Sequence, residues 1–176
     1  MMSSLKYCKS NRNLGYSLVE LIVVIAIMAI MVGVMSIGIS LMFSRDAEAV
    51  AKTIDDELSE ARMLAMSRDG EFELVLHLDS SNPANNNIVI NKDSSLYKSV
   101  TMKKRATLNV SGGGLATPIT SGDVKIVFDK GNGSVKTING GTASGVCLIE
   151  ATAARLTTKK STVSLVAATG RHYVGK

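Results

Sequence analysis

The fold is decided by an uncharged stretch near the N-terminus, residues 21–43, which reads LIVVIAIMAIMVGVMSIGISLMF. As a helix these 23 residues would extend for about 34 Å, which is enough to cross the ~30 Å hydrocarbon core of a bilayer. We therefore predict one membrane-spanning helix over residues 16–43. Lys6, Lys9 and Arg12 precede the stretch, and basic residues on that side favour a cytoplasmic N-terminus. The rest of the chain is then expected outside the cytoplasm.

The segment just before the apolar stretch contains the most specific motif. Residues 12–20 read RNLGYSLVE, in which a glycine, an aromatic residue and a glutamate follow a short basic peptide. This pattern resembles the leader and cleavage site of the type IV prepilin family, which includes the pseudopilins of type II secretion. The resemblance implies that a prepilin peptidase cuts between Gly15 and Tyr16 and methylates the new amine of Tyr16. Glu20 then becomes the fifth mature residue, the position at which the family has its glutamate.

The chemistry of Glu20 points in the same direction. An acidic side chain costs about 2.5–3.5 kcal/mol at the centre of a membrane helix and less near the interface, so it usually has a partner. The α-amino group of Tyr16, once freed by cleavage, is cationic and lies at the positive end of its own helix dipole. Pairing Glu20 of one subunit with the Tyr16 amine of a neighbour would satisfy both charges. We therefore predict that Glu20 sets the axial register of helices in a filament.

Two other interpretations of this region stay open. A conventional secretory signal peptide would be cut after small residues, and residues 47–49 (AEA) fit such a site. The apolar stretch, however, exceeds the usual ~7–15 residues of a signal peptide, and two charged residues directly precede the site. A plain membrane anchor would make Glu20 incidental. The mature N-terminus distinguishes the three, because it would lie at Tyr16, at Val50 or at the unprocessed start.

Beyond the apolar stretch, the sequence predicts a second, amphipathic half of the same helix over residues 44–69. Apolar residues recur there at spacings of three and four, while acidic residues mostly occupy the other faces. Gly70 is a suitable C-terminal stop. The resulting stripe needs a covering surface from the rest of the chain. Its members are Ala47, Val50, Ala51, Ile54, Leu58, Ala61 and Ala65.

Residues 70–176 change to a period of two, which is typical of half-buried strands and is clearest over residues 71–78. Residues 129–133 (DKGNG) predict a hairpin turn, because glycine and asparagine tolerate positive φ. We predict an α+β, pilin-like fold, in which the long N-terminal helix packs on a C-terminal antiparallel β-sheet head. Residues 1–15 would be a cleaved leader. The other predicted strands are residues 88–91, 96–102, 106–110, 124–128, 134–138, 146–153 and 162–168.

The head shows a second, less extensive resemblance. A strand ending at residues 128–129, a glycine-rich turn, and a last strand running into Thr169-Gly170-Arg171 are similar to the pseudopilin H and fimbrial T subgroup. The resemblance implies a minor subunit that initiates or caps a filament. Some members at competence pili bind DNA through a tail with two arginines, of which this chain has only Arg171.

A receptor for DNA or a surface ligand at the tip of a competence pilus is therefore the alternative function. The candidate contacts are Lys103, Lys104, Arg105, Arg171 and Lys176, each able to neutralise a phosphate if they converge on one face. Against this, +3 of the formal net charge of +5 belongs to the first fifteen residues, so only +2 remains for the mature chain. Strand ends and sheet edges also carry solvated lysines that discourage aggregation. We favour this second explanation of the basic residues.

Catalysis and cofactor binding are not predicted. The chain has two histidines, His77 and His172, and two cysteines, and it lacks the common hydrolase, metalloprotease and redox motifs. We expect His77 on the polar face of a strand, His172 in the tail and Cys147 in the core. The expected partners are prepilin peptidase, other pilin or pseudopilin subunits, the inner-membrane assembly machinery and, before assembly, the lipid bilayer. The expected location is the bacterial cytoplasmic membrane and then a pilus or pseudopilus.

Overall fold

The computed structural model describes residues 17–154 and 156–175, without the side chains of residues 34–44 and 156–158. Gly15, Tyr16 and Lys176, all predicted site residues, lie outside the described residues. The chain divides into two compact units, Met1–Gly38 and Ile39–Lys176. Within the described residues, no helix is both long enough and apolar enough to span a bilayer. The predicted span includes residues 34–43, whose side chains are not described.

A single helix, α1 (Leu18–Ser67), accounts for both predicted helical halves. Its end is close to the predicted one, and the amide of Arg68 donates the last helical hydrogen bond to the Leu64 carbonyl at 3.0 Å. Gly70 follows with φ of 109°, a conformation that residues with a side chain rarely adopt. A Cβ at Gly70 would also crowd the side chains of Lys92 and Asp93. The prediction of Gly70 as the helix stop is consistent with both observations.

The described part of the head contains ten strands in two antiparallel sheets. The six-stranded sheet has the order β3-β2-β1-β5-β6-β7, and the four-stranded sheet has the order β10-β9-β8-β4. The strands are β1 (Phe72–Leu78), β2 (Asn87–Lys92), β3 (Ser95–Thr101), β4 (Ala106–Gly112), β5 (Gly122–Phe128), β6 (Val135–Ile138), β7 (Gly141–Thr142), β8 (Val146–Ala153), β9 (Leu156–Val166) and β10 (His172–Gly175). A short 3-10 helix, Pro83–Asn85, lies in the loop between β1 and β2.

The fold is α+β with antiparallel sheets, but the prediction of one sheet was wrong. Period-two patterns show that one face of a strand is buried, but they do not show which strands share a sheet. The predicted hairpin at residues 129–133 is confirmed, since β5 and β6 pair across it. Two short strands, β7 and β10, were not predicted. Strand β9 begins at Leu156, before the predicted start, because its polar first half pairs with β8 without an apolar period.

The core lies between the second half of α1 and the inner faces of both sheets. All seven predicted stripe residues of α1 are buried, which confirms that prediction. All of them except Ala47 join one hydrophobic cluster with inward residues of the six-stranded sheet, such as Leu74 and Ile126, and of the four-stranded sheet, such as Ile149 and Leu165. Each such Leu or Ile contributes about 1.5–3 kcal/mol by leaving water. Both sheets therefore pack against the same face of the helix.

Cys147 belongs to this core, as predicted. It is fully buried on β8 and forms no disulfide. Burial raises the pKa of its thiol to about 11, because the charged thiolate is disfavoured away from water. Cys147 therefore acts as a small apolar side chain rather than as a nucleophile.

Candidate functional site

Residues 18–33 of α1 expose their side chains on every face. Glu20 lies in the first helical turn, where a negative charge is favoured by the helix dipole. The large apolar residues around and after it are exposed, from Leu18 to Val32. Within the described residues, this segment therefore finds no cover in its own chain. A helix that is apolar all round and uncovered requires either lipid or other protein chains.

Among the polar contacts of the described residues, three attach the second half of α1 to strands and turns of the head, and sequence patterns did not indicate them. The first involves Lys98 on β3, whose Nζ lies 2.8 Å from both carboxylate oxygens of Glu57 and 2.7 Å from Oε2 of Glu60. Partial burial would lower the pKa of Lys98, but the hydrogen bonds and charges of Glu57 and Glu60 outweigh it, so its pKa is raised. This ion cluster holds an edge strand of the six-stranded sheet on the helix.

The second attachment joins α1 to two glycine turns. The Nε of Arg62 donates a hydrogen bond to the carbonyl of Gly133 at 2.9 Å, in the turn between β5 and β6. Gly170, in the turn between β9 and β10, has φ of 63°, and a Cβ there would overlap the Gly133 carbonyl oxygen. The two turns of the weaker resemblance thus meet each other and the helix. No spacing in the sequence indicates that Arg62 takes part.

The third attachment involves His172, which was expected in the tail. His172 begins β10, and its side chain is only 7% exposed. Its Nδ1 lies 3.2 Å from the Gly170 carbonyl, which can only accept, so Nδ1 is the donor. With the proton on Nδ1, Nε2 accepts a hydrogen bond from the Ser59 hydroxyl at 2.7 Å.

This histidine does not form a hydrolytic triad with Ser59 and Asp55. In a triad, the carboxylate orients the imidazole from the ring nitrogen opposite the serine. Here the Asp55 carboxylate is 3.8 Å from Nε2, the same nitrogen that contacts Ser59. The three side chains therefore fasten β10 to the helix.

The predicted basic residues separate into two places. Lys103, Lys104 and Arg105 are exposed in the loop between β3 and β4, at the end of the four-stranded sheet where Ala106 pairs with Ala153. Arg171 precedes β10 at the opposite end, where His172 pairs with Leu165 and Leu165 pairs with Cys147, the partner of Gly112. The length of β4 between these ends corresponds to about 20 Å at ~3.3 Å per residue.

The described basic candidates therefore do not gather at one end of the sheet. Lys159 and Lys160 lie at the same end as the 103–105 loop, since Lys160 pairs with Thr152 and Thr152 with Thr107. Arg171 is remote from them, and Lys176 is not described. DNA binding stays an untested prediction.

His77 lies on the exposed face of β1, as expected, and its Nδ1 shares a short hydrogen bond with Asp123 on β5. Over the part of the chain that the structure describes, no group of three or more His, Cys, Asp or Glu side chains is arranged to hold a metal ion.

Comparison with known proteins gives one finding. A family model described as the prokaryotic N-terminal methylation motif matches residues 10–36. The match supports a type IV pilin-like family. It covers the predicted cleavage site, Glu20 and the exposed first part of α1. No curated protein and no solved structure matches the chain.

The motif has consequences for processing and location. It implies that the chain is a prepilin peptidase substrate and that it assembles with other pilin subunits. It also implies a chain that is first anchored in the membrane and then incorporated into a pilus. Families with this motif are structural rather than enzymatic.

Proposed function

We propose that the protein is a structural subunit of a type IV pilus or of a type II secretion pseudopilus, assembled through its N-terminal helix after leader cleavage. The observation that carries the proposal is the methylation motif over residues 10–36. Cleavage between Gly15 and Tyr16 removes the basic leader. Residues 16–43 hold the chain in the cytoplasmic membrane as a single span until it joins the filament, with the head on the outer side.

The exposure of the first half of α1 supports this role. Lipid and sister helices both exclude water, so either can cover this apolar surface at a similar free energy. Transfer from one to the other therefore needs a directional interaction to fix the register. Glu20 supplies it by pairing with the methylated amine of Tyr16 on a neighbouring subunit.

We further propose a minor subunit of the pseudopilin H and fimbrial T kind. This finer assignment is supported by the last strands and the Thr169-Gly170-Arg171 turn. Gly170 lies against the Gly133 carbonyl, which Arg62 also contacts, so a residue with a side chain would not fit at position 170. A minor subunit would act at the start or the tip of the filament.

The proposal is tested with Glu20→Ala and Glu20→Asp in the native host. The alanine variant should insert and be cut before Tyr16 but be absent from sheared filaments, because it lacks the charge that sets register. The aspartate variant keeps the charge and serves as the control, with at least partial incorporation expected. Mass spectrometry of the mature chain checks the cleavage site. Incorporation of the alanine variant at the normal level would refute the assembly role, and a mature N-terminus at Val50 would favour a secreted protein.

A further inference from the structure

The loop between β3 and β4 lies against α1 close to the end of the apolar stretch. The Nζ of Lys104 forms an ion pair with Oδ1 of Asp46 at 2.9 Å. Asp46 follows the last apolar residue, Phe43, by three positions, which corresponds to about 4.5 Å of helix at ~1.5 Å per residue. Along the helix axis, the ammonium of Lys104 therefore lies within about one turn of Phe43. In a membrane, the two would lie at a similar depth.

This end of the head has an excess of positive charge. Its exposed cations are Arg45, Lys103, Lys104, Arg105, Lys159 and Lys160, which we call the basic collar. Three acidic residues accompany the collar, namely Asp46, Glu48 and Glu150, so the local balance is +3. Asp46 and Glu150 are ion-paired with Lys104 and Lys160, whose side chains nevertheless stay about half exposed. The excess is larger than the +2 of the whole mature chain.

A cavity beside the collar provides apolar surface next to these charges. It has a volume of about 360 Å³, and its lining includes Val50, Met102, Lys103 and Lys104. Val50 and Met102 are buried, whereas the two lysines are exposed. A phospholipid has the matching combination of an anionic phosphate and adjoining apolar chains.

We propose that the basic collar binds the head groups of anionic phospholipids while the chain resides in the membrane. The inference rests on the proposed function, because it requires residues 16–43 to span the bilayer. The collar then lies at head-group depth on the outer side, where cations are attracted to the surface within a Debye length of ~10 Å. Release of these contacts accompanies transfer of the subunit into a filament.

The observations favour a lipid surface over DNA. DNA binding gains affinity from each phosphate that is neutralised, so it needs cations along an extended face. The collar is instead confined to one end of the four-stranded sheet, and Arg171 is at the other end. That end is also the one at which Lys104 is ion-paired with Asp46 of α1.

The test uses the full chain reconstituted into two kinds of vesicle, pure phosphatidylcholine and an equal mixture of phosphatidylcholine and phosphatidylglycerol. Amide hydrogen exchange is followed at residues 101–105 and, as an internal reference, at the turn of residues 112–115 at the other end of β4. We expect severalfold slower exchange at residues 101–105 in the anionic vesicles, no change at the reference turn, and loss of the effect at high salt.

Two triple variants provide the matched comparison. K103Q/K104Q/R105Q should abolish the lipid-dependent protection, whereas K125Q/K130Q/K136Q, which removes three exposed lysines elsewhere in the head, should preserve it. Equal exchange in both vesicles by an inserted chain would overturn the inference and leave the proposed function intact. Protection by a duplex oligonucleotide but not by anionic vesicles would overturn it in favour of DNA. A chain that alkaline carbonate extracts from the vesicles would contradict both the inference and the proposed function.

Discussion

The two halves of α1 bury their apolar surface in different ways. Leu58, in the second half, is completely buried among residues of both sheets, whereas Leu21, in the first half, is 60% exposed. The second half also makes the polar attachments through Glu57, Arg62 and Ser59. The first half makes none of these among the described residues. The second half of the helix packs against the head, whereas the described apolar side chains of the first half are left uncovered by the chain.

The difference teaches that folding and assembly are separable in this protein. Substitutions in the second half should lower the free energy of unfolding, because they remove contacts within the chain. Substitutions in the first half should leave that quantity almost unchanged and act on filament assembly.

The largest effect is expected from Leu58→Ala. Removing a buried leucine side chain leaves a cavity, and the free energy of unfolding should fall by about 2–5 kcal/mol. Leu21→Ala should change it by less than about 0.5 kcal/mol, because that side chain is exposed. Denaturant unfolding of the full chain in detergent measures both. Equal losses would mean that the two halves are not energetically distinct.

A slightly smaller effect is expected from Gly170→Ala. This variant tests whether the contact between the two glycine turns beside α1 contributes to stability. The new Cβ would be strained at positive φ and would overlap the Gly133 carbonyl beside Arg62. Together these should lower the free energy of unfolding by about 2–4 kcal/mol.

Gly140→Ala is the control for this prediction. Gly140 has φ of 76°, yet a Cβ there would meet nothing within 4 Å. It should therefore show only the backbone strain, about 1–2 kcal/mol. If the two alanine variants unfold with the same free energy, the contact between the turns does not contribute to stability.

These contacts also show which features could not be predicted from the sequence. The stripe of α1 and the hairpin at residues 129–133 were predictable, because periodicity and turn chemistry are local properties. The motif around Gly15, Tyr16 and Glu20 was recognisable for the same reason. Such patterns do not show how distant segments meet.

The missed features all depend on long-range pairing. Strand β10 is four residues long, pairs with β9 and contacts the helix through His172 and Ser59, which are 113 positions apart. The division into two sheets depends on which strands become neighbours. The separation of Arg171 from the 103–105 loop follows from the register of β4, β8, β9 and β10, which no spacing along the chain encodes.

The smallest effect is expected from Lys98→Met, which removes the ion cluster with Glu57 and Glu60. The free energy of unfolding at neutral pH should fall by about 1–2 kcal/mol, less than for a fully buried pair, because one-third of the Lys98 side chain is exposed to screening water. Lys125→Met is the control. Lys125 is about half exposed and lies 3.6 Å from its partner Glu73, so its loss should cost below about 1 kcal/mol.

The pH dependence identifies the origin of this effect. The pKa of Lys98 is raised in the folded state above its ordinary value of 10.5, so its ion cluster contributes fully below pH 10.5 and is lost as the pH rises through the folded pKa. From neutral pH upward, the native chain should therefore lose its advantage over Lys98→Met only in this alkaline range, because titrating groups outside the cluster affect both chains equally. A difference that persists above it would mean that the packing of the lysine stem, rather than its charge, holds β3 on the second half of α1.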